Sequence, residues 1–375
     1  RLLTFRTWTV PYSCRKCCIK KAVLNKLSLW LTLLPMLFLS SCSSKVSEPT
    51  SPTKAFKYGV IYTSNLDNKS EIVLLSENWE VSKKISLKVG GLGARLQKVT
   101  IYKNKLYVPV TGIPSNSDEQ ILELDLDSTS IRYLKAENFP IALEVDNDFL
   151  YVIHNSGLDE GVLAQVDIKK NIIIKKIKLK GVLRKVTISN DHIYVMGDHI
   201  QSGGQTIHEV SKSLDVIKVI KNQYTAFPTD SAIIGTELLI MNNAIADSSG
   251  PVDAYTVLNI KTHNLSLVKL TEVAPYQIFD VGKSFIITHY LFPSNSGTKV
   301  TVIDKQTKRQ KSYSLENNLY QSMIKNNKFY SVGTPKGERG IPRNVYEYDL
   351  ENFKLLQVHE LTKQKDMVIS NIFAK

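Results

Sequence analysis

The chain has 375 residues and a formal net charge of +13, but seven of its basic residues lie in residues 1–41, which carry no acidic residue. The remainder has a mild surplus of 41 basic over 35 acidic residues with no basic block, which argues against nucleic-acid binding. Residues 43–375 contain no cysteine, so no disulfide bond can form there and stability must come from packing.

Residues 1–22 hold three of the four cysteines, Cys14, Cys17 and Cys18. The Cys-x-x-Cys-Cys spacing is compatible with a metal, but no second Cys or His pair lies within finger spacing, and we predict no metal site. We interpret residues 1–22 as an upstream extension, with translation starting near Val23 or Leu24.

Residues 23–41 have the pattern of a secretory leader. Basic residues precede a 13-residue apolar run from Leu27 to Leu39, which is too short to span a membrane. The run ends in Leu39-Ser40-Ser41-Cys42, which resembles the lipobox of bacterial lipoproteins. That resemblance implies a diacylglycerol on Cys42 and cleavage just before it. The alternatives are an uncleaved signal anchor, or a signal peptide followed by a chance cysteine.

Residues 42–55 then read as the lipidated cysteine and a flexible tether, because they are rich in Ser, Thr and Pro and have little to bury. We therefore expect a soluble domain held at the outer face of a bacterial cell membrane through the lipid on Cys42.

The rest of the chain is periodic. An aromatic or aliphatic marker recurs in short β-type runs at steps of 43 to 47 residues, at Tyr62, Tyr107, Tyr151, Tyr194, Leu239, Ile286 and Tyr330. A turn-forming residue recurs with it at steps of 42 to 49 residues, at Ser76, Asp125, Asp167, Ser211, Asn259, Asp304 and Asp349. Periods near 45 residues without helical periodicity predict a β-propeller.

Each unit reads as four strands, and the third unit predicts them at 141–145, 149–154, 162–168 and 172–179. The first unit supplies only three, at 57–63, 71–75 and 79–87, while one strand is left over at 367–373. We therefore predict an all-β fold, a seven-bladed β-propeller over residues 56–375 with four-stranded blades, the first blade closed by the C-terminal strand.

The Leu-Tyr-Val runs at 106–108 and 150–152 and the third strands closed by Asp125, Asp167 and Asp349 resemble YVTN-type and quinoprotein-like seven-bladed propellers of bacteria. The resemblance implies the architecture and leaves the activity open, because such folds host binding, scaffolding and catalysis.

The candidate ligand site lies where the second strands end. His154 and His289 share a repeat position, three residues after Tyr151 and Ile286, with Asn65 and Asn242 as equivalents and His199 two residues further along its blade. We expect His154 and His289 to be partly exposed at the mouth of the central channel, with both asparagines at similar depth. There the five could bind a small polar ligand. The alternative is that they are merely solvated loop residues.

We predict that the protein is a membrane-anchored extracytoplasmic lipoprotein, a monomer, whose propeller binds a ligand or an extracellular protein at the cell surface. No catalytic residue, cofactor or metal is predicted, because no nucleophile elbow, zinc motif, phosphate loop or reactive cysteine is present. One alternative is a propeller enzyme of lyase, lactonase or cyclase type near His154 and His289. Another is a structural module of an envelope assembly.

Overall fold

The computed structural model describes residues 55–93, 97–113, 116–155, 157, 159–199, 203–246, 250–291, 294, 296–338 and 340–375. The predicted extension, the leader, Cys42 and all of the tether except its last residue lie outside these ranges. Within them, no helix long and apolar enough to cross a bilayer is found.

The described residues form 28 strands in seven antiparallel four-stranded sheets. From the inner strand to the outer strand, blade 1 consists of β28 (Val368–Ala374), β1 (Tyr58–Thr63), β2 (Ser70–Leu75) and β3 (Val81–Leu87). Blade 2 consists of β4 (Thr100–Tyr102), β5 (Lys105–Ile113), β6 (Asn116–Asp125) and β7 (Ile131–Lys135). Blade 3 consists of β8 (Pro140–Asp146), β9 (Phe149–Asn155), β10 (Glu160–Asp167) and β11 (Ile172–Lys180).

In the same order, blade 4 consists of β12 (Val182–Ile188), β13 (His192–Asp198), β14 (Gln205–Ser211) and β15 (Val216–Asn222), and blade 5 of β16 (Thr225–Ile234), β17 (Glu237–Ile245), β18 (Ala254–Asn259) and β19 (Leu265–Lys269). Blade 6 consists of β20 (Pro275–Asp280), β21 (Ser284–Leu291), β22 (Ser296–Asp304) and β23 (Gln310–Ser314). Blade 7 consists of β24 (Asn317–Lys325), β25 (Lys328–Pro335), β26 (Asn344–Asp349) and β27 (Leu355–Glu360). The predicted seven-bladed, all-β fold is confirmed.

The second strands are buried on both faces, because each blade packs against its two neighbours. In β9, residues from Leu150 to His154 are all buried. The outer strands are half exposed, as in β15, where only Asn222 is fully buried. The apolar clusters cross blade boundaries: Ile286 of blade 6 lies in one cluster with Phe329 and Tyr348 of blade 7. A single blade could not bury these faces alone.

The turn after each third strand is held by the residue that the repeat predicted. Asp125 Oδ1 accepts hydrogen bonds from the backbone N–H groups of Asp127 (3.1 Å) and Ser128 (2.8 Å). Asp304 and Asp349 make the same pair of contacts two and three residues onwards. A short acceptor side chain therefore closes the turn, as expected of Asp at this place.

The C-terminal strand closes the ring. β28 pairs antiparallel with β1, from Tyr58 opposite Ala374 to Thr63 opposite Val368. The ring of Phe373 fills the space beside Gly59, where an added Cβ would lie 2.1 Å from the Phe373 ring. The predicted completion of the first blade is thus confirmed, and it removes an open inner edge on β1.

The two faces of the propeller differ. Connections from second to third strands and from blade to blade lie on one face, which we call the loop face. The turns between inner and second strands lie on the other, the short-turn face, and include the turns at 103–104, 147–148 and 326–327. Tyr58 and Ala374 pair at the short-turn face, and Thr63 and Val368 pair at the loop face.

We predict that Phe373→Ala lowers the free energy of unfolding by about 3–5 kcal/mol, because it leaves a cavity where the first blade closes. Truncation after Lys365 should cost more, since it also unpairs the inner edge of β1. Thermal and urea unfolding of the purified variants measure both effects.

The matched control is Ile174→Ala on the outer strand of blade 3, where Ile174 is 50 % exposed and truncation should change stability by no more than about 0.5 kcal/mol. A truncated protein that melts within about 2 °C of the full chain would contradict closure by β28.

Candidate functional site

His154 and His289 occupy the same place in their blades. Each lies near the end of a second strand, opposite the proline that begins the inner strand: His154 pairs with Pro140, and His289 with Pro275. The prediction that the two histidines share a repeat position and a face is confirmed.

The prediction that they are partly exposed is wrong. His154 is 1 % exposed and His289 3 % exposed. The segment that crosses from one blade to the next covers this position, and for His289 its Val273 carbonyl accepts a hydrogen bond from Nδ1 at 2.9 Å. Nε2 of His289 lies 2.8 Å from Thr301 Oγ1, so both ring nitrogens are satisfied within the fold.

His154 is buried without such partners. Neither of its ring nitrogens has a hydrogen bond of ordinary geometry, and the backbone groups of Glu137 and Asn138 near the ring only partly offset its burial. Burial lowers the pKa of both histidines, His154 and His289, to about 4. Both imidazoles are therefore neutral at physiological pH.

The other three predicted residues lie in different settings. Asn242 is fully buried, and its Nδ2 donates to the Ile240 carbonyl (3.0 Å) and to Thr256 Oγ1 (2.9 Å). Asn65 is half-buried, so the expectation of similar depth is wrong. His199 is half-buried and hydrogen-bonded to Thr206.

Asn65 is also not the equivalent of the histidines. In blade 3 the third strand ends with Asp167 opposite the first residue of β9. In blade 1, Tyr58 pairs with Leu75, so Ser76, the counterpart of Asp167, lies opposite residue 57. His154 lies five residues after Phe149, and the residue five after 57 is Tyr62. Tyr62 is therefore the counterpart of His154. Asn65 lies three residues further on.

No hydrogen bond between described residues joins any two of His154, His289, Asn65, Asn242 and His199. The structure leaves them in separate blades, and their role in ligand binding stays a prediction that their burial does not favour.

The central channel contains a polar cluster that the sequence analysis missed. Six inner strands contain a bulge: β8, β12, β16, β20, β24 and β28. In five of them, the residue that follows the bulge pairs with an equivalent position of the second strand. These residues are Ala142, Lys185, Asp230, Gln321 and Asn371. Four of these five are polar. Because inner strands surround the channel axis, the bulge repeats place these side chains at one level.

Charged groups from four blades meet there. Lys98 Nζ lies 2.6 Å from Asp230 Oδ2, which connects blade 2 with blade 5. Lys185 Nζ lies 3.4 Å from Asp230 Oδ1 and 3.6 Å from Glu144 Oε1. In the adjoining blades 6 and 7, Gln277 Nε2 donates to Gln321 Oε1 at 2.8 Å. Side chains therefore cross the channel at this level.

The electrostatics of the cluster are uneven. Burial would raise the pKa of Asp230, but Lys98 and Lys185 hold it below its ordinary value. Burial raises the pKa of Glu144, although Lys185 opposes the change and 31 % of its side chain is exposed. Asp230 is thus the firmly ionised carboxylate of the cluster, shared by two lysines.

Two concave surfaces adjoin the ring's centre. One is a cavity of about 490 Å³ in the channel, between the inner strands of blades 1, 2, 6 and 7. The other, which we call the loop-face groove, consists of two adjoining cavities of about 370 and 180 Å³. Its principal apolar and aromatic side chains are Tyr62, Tyr290, Tyr320, Ile341, Pro342 and Val368. The described residues include no group of three or more His, Cys, Asp or Glu side chains arranged to hold a metal ion.

The comparisons with known proteins show the fold and nothing finer. No protein-family model and no curated protein matches the chain. A functionally unknown protein from Desulfotomaculum acetoxidans superposes with a TM-score of 0.60 at 12 % identity, over 86 % of this chain and 99 % of its own.

Two similar structures have described functions. Dihydro-heme d1 dehydrogenase NirN has a TM-score of 0.55 at 11 % identity, over 84 % of this chain and 66 % of its own. Hydrazine synthase from Kuenenia stuttgartiensis has a TM-score of 0.51 at 16 % identity, over 70 % of this chain and 78 % of its own. At such identities, the likeness is one of propeller architecture alone.

We predict that His154 makes folding stability depend on pH. Because its folded pKa of about 4 lies below the unfolded value of 6.5, the unfolded state alone binds the proton as the pH falls. Stability from this residue is complete above pH 6.5 and is lost towards pH 4. Between pH 7 and pH 5 the loss is about 2 kcal/mol, and His154→Leu should abolish it.

Urea unfolding at several pH values measures this dependence. Asn242→Leu is the matched control, because Asn242 occupies the same repeat position and does not titrate: it should lower stability equally at every pH. Identical pH profiles for His154→Leu and the wild type would rule the prediction out.

Proposed function

We propose that this protein is a lipid-anchored binding protein of the outer face of a bacterial cell membrane. We further propose that its propeller holds an extended segment of a partner protein, apolar with acidic flanks, in the loop-face groove. The observation that carries the proposal is the groove itself, where the exposed Ile341 and the half-buried Tyr320, Pro342 and Val368 adjoin basic groups that form no ion pair with a described residue.

The shape of the groove favours an extended segment. Its two cavities share Ile341, Pro342, Val368 and Ile369, so they lie side by side with these four residues between them. Two side chains on the same face of a peptide could each fill one cavity. Ile341 is 53 % exposed, and covering its apolar surface would favour binding by about 25 cal/mol for each Å² removed from water.

Charge favours acidic flanks. The groove lining carries Arg343 and Lys363 against a single acidic residue, Asp366. Arg343 and Lys363 are exposed, and neither forms an ion pair with a described residue. Complementary charge on a partner would guide its approach and fix its register more than it would add affinity.

The topology is compatible with an anchor at Cys42. The chain enters β1 at Tyr58, on the short-turn face, whereas the groove lies at the other ends of β1 and β28, where Tyr62 pairs with Ile369. A tether upstream of residue 55 therefore joins the propeller on the face opposite the groove. Two or more acyl chains on the cysteine suffice for stable anchoring, since each buried methylene contributes about 0.8 kcal/mol.

For the anchor, we predict that Cys42→Ala releases the protein into the soluble fraction or leaves it as unprocessed precursor. Membrane fractionation and the apparent mass of the mature chain measure this. Ser43→Ala is the control and should stay membrane-bound. Normal processing and retention of Cys42→Ala would contradict the lipid anchor.

For the groove, we predict that a photo-crosslinking amino acid at position 341 yields a discrete adduct with a partner protein in intact cells. Peptides selected on the purified protein from a random library should carry apolar residues flanked by Asp or Glu. Arg343→Glu should weaken their binding about tenfold, or about 1.4 kcal/mol, at low salt, and should reduce the adduct in parallel.

The same crosslinker at Ile217 is the matched control, because Ile217 is 51 % exposed but lies on the outer strand β15. Equal adducts from both positions, or selected peptides that bind Arg343→Glu as well as the wild type, would contradict a specific groove.

A further inference from the structure

The short-turn face carries a concentration of basic residues at blades 5 and 6. Because the strands of a blade are antiparallel, the turn from the third to the fourth strand lies on the same face as the turn from the inner to the second strand. In blades 5 and 6 these turns are 235–236, 260–264, 281–283 and 305–309. They contain no acidic residue and five basic residues, which we call the basic corner: Lys261, Lys283, Lys305, Lys308 and Arg309.

The other five blades differ from blades 5 and 6 in the charge of these turns. Each of the five has at least one acidic residue in a turn on the short-turn face. The first such residues of blades 1, 2, 3, 4 and 7 are Glu77, Asp127, Asp148, Asp191 and Glu351. The positive charge of this face is therefore concentrated at the basic corner.

The turns of the basic corner adjoin one another. The backbone N–H of Lys305 donates to the Lys283 carbonyl at 3.0 Å. Lys308 Nζ lies 3.7 Å from Oε2 of Glu237, the first residue of β17 in blade 5. The turn that contains Lys261 is hydrogen-bonded to the turn just before Glu237, at 2.9 Å between backbone N and O. The five basic residues thus form one patch across two blades.

The acidic residues near the basic corner lie at strand ends, behind the tips of the turns. Asp304 Oδ1 accepts hydrogen bonds from two backbone N–H groups of its own turn, at 3.0 and 2.7 Å, so it faces the turn. Asp280 Oδ1 lies 2.6 Å from Lys305 Nζ, and Lys305 is the one half-buried member of the patch. The outermost charges at the basic corner are therefore positive.

Most of the basic corner keeps its charge for a partner. Lys261, Lys283 and Arg309 are exposed and form no ion pair with a described residue. Lys308 is 61 % exposed, and its 3.7 Å contact with Glu237 is a surface pair of the kind that contributes little. Since turns are the outermost part of this face, a broad anionic surface can contact all four side chains together.

The tether joins the propeller on this same face. The chain enters β1 at Tyr58, which pairs with Ala374 at the short-turn face. A lipid anchor upstream of residue 55 therefore favours an orientation in which the basic corner faces the membrane and the loop-face groove faces away from it. Near an anionic membrane surface, each Lys or Arg strengthens binding about fivefold.

We propose that the basic corner contacts the anionic phospholipid headgroups of the membrane, so that the short-turn face lies against the bilayer. The choice of a membrane as the partner rests on the proposed anchor at Cys42, through the face that the tether joins. The test uses a chain without Cys42, so the contact can fail while the anchor is correct, and the anchor can fail while the contact is correct.

Vesicle co-sedimentation of residues 43–375 tests the contact. Residues 55–375 contain all 28 described strands and close the ring between β1 and β28, so this chain folds without its leader and its lipid. It should bind phosphatidylcholine vesicles with about 30 % phosphatidylglycerol at least tenfold more tightly than pure phosphatidylcholine vesicles, and about 0.5 M NaCl should abolish the difference. Equal binding to both kinds of vesicle at low salt would overturn the proposal.

Charge reversal tests the position of the contact. Lys283→Glu combined with Arg309→Glu should weaken binding to the anionic vesicles at least tenfold. The matched control is Lys218→Glu combined with Lys221→Glu, which makes the same change in net charge at two exposed lysines of the outer strand β15. It should change binding less than twofold, because salt screens charges that lie on another blade. Both variants should melt at the wild-type temperature, since all four side chains are exposed.

Two outcomes would contradict a membrane contact at the basic corner. Equal losses in the two double variants would show that binding follows the overall charge of the protein. Binding to soluble polyglutamate without binding to the anionic vesicles would assign the basic corner to an acidic protein partner.

Discussion

Every blade of this propeller has two apolar faces, and no blade can cover both by itself. That requirement makes the ring an all-or-none arrangement, in which each sheet is completed by its neighbours and the first sheet is completed by the last strand of the chain. The pairing of β28 with β1 therefore affects more than one blade, because the clusters on either side of blade 1 join it to blades 2 and 7. The positions of the channel and the groove depend on this closure.

The ring brings together residues that no local segment could. The contact of Lys98 with Asp230 joins two blades that are not neighbours, so it exists only in the closed circle. The loop-face groove likewise takes its walls from blades 6, 7 and 1. Buried ion pairs are costly to form, so the cluster in the channel adds little net stability.

The strands could be predicted from the sequence because their signals are local. Alternating apolar residues and the aspartates at the turns gave the strand predicted at 172–179, and the structure has Ile172–Lys180. The burial of His154 and His289 could not be predicted, since the covering segments follow paths set by the ring. One local signal indicates the misalignment of Asn65. From the first unit to the second, the aromatic marker advances by 45 residues but the turn marker by 49, so the two markers align the first blade differently. Another is a charged residue in the middle of an inner strand, as Lys185 is between Arg184 and Val186.

Closure by the last strand also determines how the molecule bears load. If a partner held at the loop face is pulled away from an anchor upstream of residue 55, the force enters β1 at Tyr58 and leaves near Thr63 and Val368, along the strand axis. Hydrogen bonds between antiparallel strands lie perpendicular to that axis, so the ladder between β1 and β28 is sheared and its bonds resist together. Were blade 1 built from consecutive strands alone, β1 would lack that second ladder, and blade 1 would resist the pull through β2 only.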